Sequence, residues 1–210
     1  AKGALTVVIS PLQALMKDQV DVLEGKGIVR AVAINGLLDP LQRKEAIEKV
    51  RDGFAHLLYL SPESLRSNTI LRLLTKRIID RFVVDEAHCF SAWGQDFRVD
   101  YHYIGKFIRL LQERKGRTTP IPVSCFTATA RTQVVDDIRT YFRQVLNLDL
   151  VLHQTLQGRT NLDYRIIKVK EEGEKPQQLL LLLEERKGPT IVYVSRVTKT
   201  LEIATLLNRQ

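Results

Sequence analysis

Short apolar runs rich in β-branched residues alternate with longer amphipathic segments from residue 5 to residue 208, and no other feature restricts the fold as much. The runs at residues 5–10, 31–34, 57–60, 82–85, 123–127, 151–153, 164–168 and 190–194 read as strands. They are apolar on both faces, as strands covered by helices on both sides must be. Between them, residues 12–25, 40–52, 64–74, 101–114, 132–145, 176–186 and 198–208 carry helical periodicity. Asp39-Pro40 supplies an N-cap followed by a proline suited to the first helical position. Gly53 and Gly188 fall just past helix ends, where a left-handed residue closes the last turn. Strands alternating with helices predict an α/β fold, a parallel sheet with helices on both faces.

The pattern breaks at residues 154–162, where polar residues and Gly158 intervene before a new strand–helix series. This predicts a first domain at residues 1–155 and a second at 156–210. The second is too short for a full α/β lobe, and the first residue is Ala1 rather than Met. The chain is therefore expected to be cut at both ends from a longer protein. The longest run of large apolar residues, 179–183, is far below the roughly 20 residues that span a bilayer. Two cysteines, Cys89 and Cys125, make no disulfide framework, and a reduced compartment is expected. Lys and Arg number 32 against 24 Asp and Glu, a net charge of +8, which suits either a polyanion partner or a solvated basic surface.

Chemistry concentrates where apolar runs end. Phe82-Val83-Val84 runs into Asp85-Glu86-Ala87-His88, which sets two carboxylates at the carboxyl edge of a parallel sheet, where α/β proteins bind ligands. In nucleotide hydrolases the first such acid holds Mg²⁺ on the phosphates and the second orients or deprotonates the attacking water. An acidic pair that merely caps the next helix is the alternative. The following loop, from Cys89 to Tyr101, contains the one Trp of the chain, Trp93, beside Gly94, with Phe90, Phe97 and Arg98. Aromatic faces in a polar loop stack on single-stranded bases, and the same rings could instead anchor the loop in the core, above all Phe90.

Thr127-Ala128-Thr129-Ala130 ends another apolar run with small hydroxyl residues able to meet a phosphate or a carboxylate. Ser10-Pro11-Leu12 and Ser61-Pro62-Glu63 follow two further runs. Proline after serine starts a helix whose free N–H groups suit a backbone phosphate, although helix initiation alone also explains each. No G-x-x-x-x-G-K-[ST] occurs, since Gly25-Lys26 and Gly105-Lys106 lack its upstream glycine and its hydroxyl residue. Something functional is expected upstream of Ala1, and this chain alone is expected to hydrolyse ATP poorly or not at all. Cys89, Cys125 and His88 lack the spacing of a four-ligand zinc site.

Taken in order, these motifs resemble a superfamily 2 helicase core, and within it the RecQ family of DNA helicases. Val8-Ile9-Ser10-Pro11-Leu12-Gln13-Ala14-Leu15-Met16-Lys17-Asp18-Gln19-Val20 looks like that family's motif Ia, Tyr59-Leu60-Ser61-Pro62-Glu63 its motif Ib, Asp85-Glu86-Ala87-His88 its motif II and Thr127-Ala128-Thr129-Ala130 its motif III. The loop after His88 is similar to the family's aromatic-rich loop. Arg159-Thr160-Asn161-Leu162-Asp163-Tyr164 resembles the approach to the second lobe, and Thr190-Ile191-Val192-Tyr193-Val194-Ser195-Arg196 its motif IV. Ala92, Gln95 and Val99 stand where the family loop usually has Gln, His and Pro.

The resemblance implies a RecA-like first lobe and the beginning of a second, with ATP and Mg²⁺ as cofactors and single-stranded and duplex DNA as partners. It implies that Asp85 coordinates Mg²⁺, that Glu86 acts as base, and that His88, Gln95, Thr127 and Thr129 couple nucleotide to DNA. Ser10, Pro11, Leu12, Ser61, Pro62, Trp93, Phe97 and Arg98 would contact DNA, and movement would run 3′→5′. The expected function is part of an ATP-dependent DNA helicase, in the cytoplasm at the nucleoid of a bacterium or in the nucleus of a eukaryote. An RNA helicase, another remodelling ATPase or a non-catalytic nucleic-acid-binding remnant are the alternatives.

Overall fold

A computed structural model describes residues 3–28, 30–90, 98–128, 131–154, 161–186 and 188–208. The chain divides into two units, Ala1–His153 and Gln154–Gln210. In the first, five strands form one sheet: β1 (Leu5–Ile9), β2 (Ala31–Ile34), β3 (Leu57–Leu60), β4 (Ile79–Val84) and β5 (Val123–Cys125). Their order is β2-β3-β1-β4-β5, and every pairing is parallel. Helices α1 (Gln13–Gly25), α2 (Pro40–Arg51), α3 (Asn68–Thr75), α4 (Arg98–Arg114) and α5 (Thr132–Leu146) connect and cover the strands.

The period-2 alternation of strand side chains sorts the core onto two faces. Val8 and Tyr59 pack with Met16 of α1, with Val83 and Ala33 against them. Val7, Ile9, Phe82 and Val84 face the opposite way into the larger core with residues of α2 to α5, including Val50, Leu74, Phe107 and Phe142. Helices therefore lie on both faces, as the sequence predicts. Each such large apolar side chain contributes about 1.5–3 kcal/mol on leaving water.

Four local outcomes depend on backbone chemistry. Asp39 caps α2 reciprocally, its carboxylate accepting from the Gln42 amide at 2.8 Å while the Asp39 amide donates to Gln42 Oε1 at 3.2 Å. Gly53 after α2 has φ of 89°, whereas Gly188 is not left-handed, a correction to the sequence reading. The helix expected at 64–74 breaks into a 3₁₀ turn, Pro62–Arg66, and α3, because Ser67 between them is extended. Helix α1 starts at Gln13 with Leu12 as its N-cap, so Pro11 lies before the helix and not in its first turn as Pro62 does.

Three expected strands do not form. Residues 151–153, 164–168 and 190–194 take part in no ladder. A strand exists through bonds to a neighbour, and an apolar run without one stays unpaired. The second unit accordingly holds helices α6 (Lys175–Glu185) and α7 (Val197–Leu207) and, among its described residues, no strand. Ile166 and Tyr193 in the two unpaired runs are about nine-tenths exposed. Among the described residues, no helix is long and apolar enough to cross a membrane.

Candidate functional site

Strand β1 sits in the middle of the sheet, and its outgoing connection runs toward β2, while that of its neighbour β4 runs toward β5. Connections leaving adjacent strands in opposite directions open a crevice at their carboxyl ends, the usual ligand position in such sheets. The register aligns the ends: Ile9 lies opposite Leu60 and Val84, and Val84 opposite Cys125. Ser10, Ser61, Asp85 and Phe126 thus form one row, extended by bonds from the Ser10 amide to Leu60 O (3.0 Å), from the Asp85 amide to Ile9 O (2.9 Å) and from the Phe126 amide to Val84 O (2.8 Å). One more bond, from the Ala87 amide to Phe126 O (2.9 Å), follows as the chain after β4 enters a 3₁₀ turn at Ala87–Phe90, and β5 ends two residues before the expected Thr127.

The crevice between β1 and β4 holds the acidic pair. Ser10, which is buried, donates its hydroxyl to Asp85 Oδ2 at 3.2 Å. The Glu86 amide donates to Asp85 Oδ1 at 2.9 Å, and the Tyr101 hydroxyl to the Asp85 carbonyl at 3.0 Å. Glu86 itself has φ of +47°, a conformation that bulky L residues avoid and that clusters at functional sites. Its Oε2 lies 3.1 Å from His88 Nδ1, which also lies 3.2 Å from Thr127 Oγ1. A carboxylate needs a donor, so the ring proton sits on Nδ1 and the Thr127 oxygen is within its reach. Ser10, Asp85, Glu86, His88 and Thr127 therefore form one bonded row across β1, β4 and β5.

Among the described residues, each Asp85 oxygen accepts one hydrogen bond, and an ionised carboxylate has about four lone-pair positions. Hard oxygen donors with spare lone pairs at a strand end fit a small divalent cation. Among the described residues, no cluster of three His, Cys, Asp or Glu could hold a metal by itself. An ion here would share its coordination with a ligand.

Ser61 and Pro62 are both buried, and the Ser61 hydroxyl pairs with that of Ser64 at 2.8 Å. Leu12 is about half exposed beside them on the same edge. Gln13 Nε2 donates to Glu63 Oε1 at 3.1 Å and ties the start of α1 to the turn after β3. Arg66, at the end of that turn, pairs with Asp100 of α4 at 2.6 Å and lies over the Tyr103 ring at 4.9 Å. Phe90 is anchored in the core, edge-on to Tyr101 (5.4 Å) and Phe142 (5.4 Å) and tilted on Tyr141 (4.9 Å). Trp93, Gln95, Phe97 and Thr129 lie outside the described residues, and Arg98 is described only as the first residue of α4.

Two cysteines flank this row. Burial pushes the Cys89 thiol up, partly offset by its hydrogen bond to Tyr101, and pushes Cys125 up to about 12. Since the thiolate is the reactive form, Cys125 is expected to alkylate at pH 8 on the order of 10³-fold more slowly in the folded than in the unfolded chain. Iodoacetamide labelling followed by mass spectrometry checks this, and equal rates would contradict the burial.

Tyr101, the last residue of the aromatic loop read from the sequence, was given no role there and is the residue that bonds the Asp85 carbonyl. It belongs to the apolar stripe Tyr101, Ile104, Ile108 and Leu111 on α4, all fully buried. A tyrosine in such a stripe needs a partner for its hydroxyl, and that is the signal by which sequence could have found it.

Residues 1–138 match the DEAD/DEAH box helicase family. The chain is 36% identical over 190 residues to the probable ATP-dependent DNA helicase RecS of Bacillus subtilis (strain 168), covering 90% of this chain and 36% of that protein. It is 35% identical over 210 residues to the ATP-dependent DNA helicase RecQ of Haemophilus influenzae, covering 98% and 31%. The chain thus spans about a third of the length of these curated relatives. Among solved structures, the Mycobacterium smegmatis helicase Lhr bound to ssDNA and AMP-PNP aligns with TM-score 0.63 at 16% identity, over 99% of this chain and 28% of that one. The DUF1998 helicase MrfA bound to DNA and AMPPNP aligns with TM-score 0.51 at 18% identity, over 72% and 20%. At these identities the structural likeness is one of fold.

Proposed function

The chain belongs to the DEAD/DEAH box helicase family, and from that premise we propose that it forms the acidic strand edge of an ATP-dependent DNA helicase of the RecQ type. The bonded row from Ser10 through Asp85, Glu86 and His88 to Thr127 carries the reading, because it joins three of the motifs along one sheet edge. Asp85 would hold the Mg²⁺ that accompanies ATP, an ion that neutralises charge on the phosphates. Glu86 would take the proton of the attacking water, and His88, held between Glu86 and Thr127, would fix the direction of that carboxylate. By resemblance, Thr129 and Gln95 would share the coupling role.

Single-stranded DNA would run along the edge past Ser10-Pro11-Leu12 and Ser61-Pro62. The Ser10 and Ser61 hydroxyls bond within the protein, so the contact there would come from main chain and from exposed Leu12. Trp93, Phe97 and Arg98 would stack on bases or pair with phosphates. The names of the RecS and RecQ relatives support DNA over RNA, and the net charge of +8 suits either polyanion. Duplex unwinding, 3′→5′ movement, and work at the bacterial nucleoid or in a nucleus complete the proposal.

In the full-length protein, ATP hydrolysis is expected to rise at least about 10-fold with a single-stranded oligodeoxynucleotide and much less with an RNA of the same sequence. A coupled-enzyme assay of phosphate release reads both arms. Stronger stimulation by RNA would replace this reading with an RNA helicase, and absence of hydrolysis in every arm would leave a non-catalytic nucleic-acid binder.

A further inference from the structure

We propose that Tyr101 is a positioning residue for the acidic pair, holding the peptide unit between Asp85 and Glu86 and so setting the direction of the Glu86 carboxylate. The proposal rests on the reading of that pair as the hydrolytic edge. The peptide unit is pinned at both ends. Its carbonyl, on Asp85, accepts from the Tyr101 hydroxyl at 3.0 Å, and its N–H, on Glu86, donates to Asp85 Oδ1 at 2.9 Å. Rotation of this plane changes ψ of Asp85 and φ of Glu86 together, and φ of Glu86 is +47°. A non-glycine residue leaves that region unless its surroundings hold it there. The Cys89 amide, bonded to the Glu86 carbonyl at 2.9 Å, fixes the next link of the same turn.

Tyr101 is well suited to be the fixed point. It is fully buried in the first turns of α4, its ring edge-on to Phe90. The geometry gives the contact a second consequence. Phe90 precedes residues 91–97 and Tyr101 follows them by three residues of helix, so the two ends of that aromatic segment meet at the Phe90–Tyr101 contact. A shift in the first turn of α4 is therefore transmitted through one hydroxyl to the Glu86 turn.

The test is Tyr101→Phe in the full-length protein, which keeps the ring and its packing and removes the hydroxyl alone. Steady-state ATP hydrolysis is measured with saturating single-stranded DNA, well below the unfolding temperature of the variant. The expected result is a kcat about 10-fold lower with KM for ATP within about twofold of wild type, since loss of the hydroxyl's bonds to the Asp85 carbonyl and with Cys89 is expressed in orientation. An unchanged kcat overturns the proposal, and so does a fall in kcat accompanied by a comparable rise in KM, which marks a general loss of structure. Failure of the underlying functional reading is distinct, because it appears as a wild-type protein that does not hydrolyse ATP at all.

Discussion

Glu86→Gln in the full-length protein is expected to lower ATP hydrolysis by about 10²–10⁴-fold, the range associated with removing a general base. Glutamine keeps the length of the side chain and retains an oxygen for His88 Nδ1, 3.1 Å from Glu86 Oε2 in the wild type. It loses the charge and the capacity to accept a proton. The φ of +47° and the hydrogen bond from the Glu86 amide to Asp85 are main-chain features and survive the exchange. Nucleotide affinity, followed by fluorescence of a labelled ATP analogue, is therefore expected to stay within a few-fold of wild type. A loss below about 10-fold in rate would show that the proton goes elsewhere and that Glu86 serves the turn alone.

Arg77→Ala is expected to destabilise the first unit by about 3–5 kcal/mol. Arg77 is buried, and its guanidinium binds the carbonyls of Gly3, Val50 and Ala55, with no carboxylate within ion-pair distance among the described residues. The side chain joins the chain just before β1, the end of α2 and the loop before β3. Among the described residues its Nε has no partner, and burial lowers its pKa, so the charge is held at a desolvation cost. Removing it relieves that cost. Against this, buried carbonyls lose their donor at about 1–3 kcal/mol each, and one of the largest fully buried side chains leaves a cavity. Lys115 and Arg117, bonded to carbonyls of Thr75, Arg77 and Ile79, lie on neighbouring main chain and cannot take over without leaving those groups. Thermal unfolding followed by far-UV circular dichroism should show a Tm lower by roughly 6–20 °C. A shift below about 3 °C would mean that water replaces the guanidinium.

Legibility in the sequence follows the origin of each feature. Strands β2 and β3 match the expected 31–34 and 57–60 to the residue, because their apolar runs are short, buried and bounded by polar residues. Strand β4 begins three residues before the expected 82, since Asp80 and Arg81 point outward on a strand whose neighbours still pair with it. The runs at 164–168 and 190–194 have the same local composition without a partner to bond, a property that no window of sequence contains. Asp85, Glu86, His88, Ser10 and Thr127 were legible because each stands at the end of an apolar run. The bonds between them depend on strand order, which brings residues 75 apart in the chain within 3.2 Å at Ser10 and Asp85. Neither the conformation of Glu86 nor the Tyr101 bond is written in any motif.

The sheet order also bears on how the chain is made. Strand β1, the earliest in the chain of these five, lies at the centre, and both its partners come much later: Thr6 pairs with Leu57, and Ile9 with Val84. Until residue 60 has emerged, an apolar strand waits with both edges bare, and its second edge stays bare until residue 84 follows. Strand β2 offers no earlier relief, because it docks on β3 and not on β1. Folding must therefore proceed outward from a late-completed centre, with long loops closing before contacts repay them. During that interval the nascent chain presents the unpaired edges that chaperones shield and aggregates recruit.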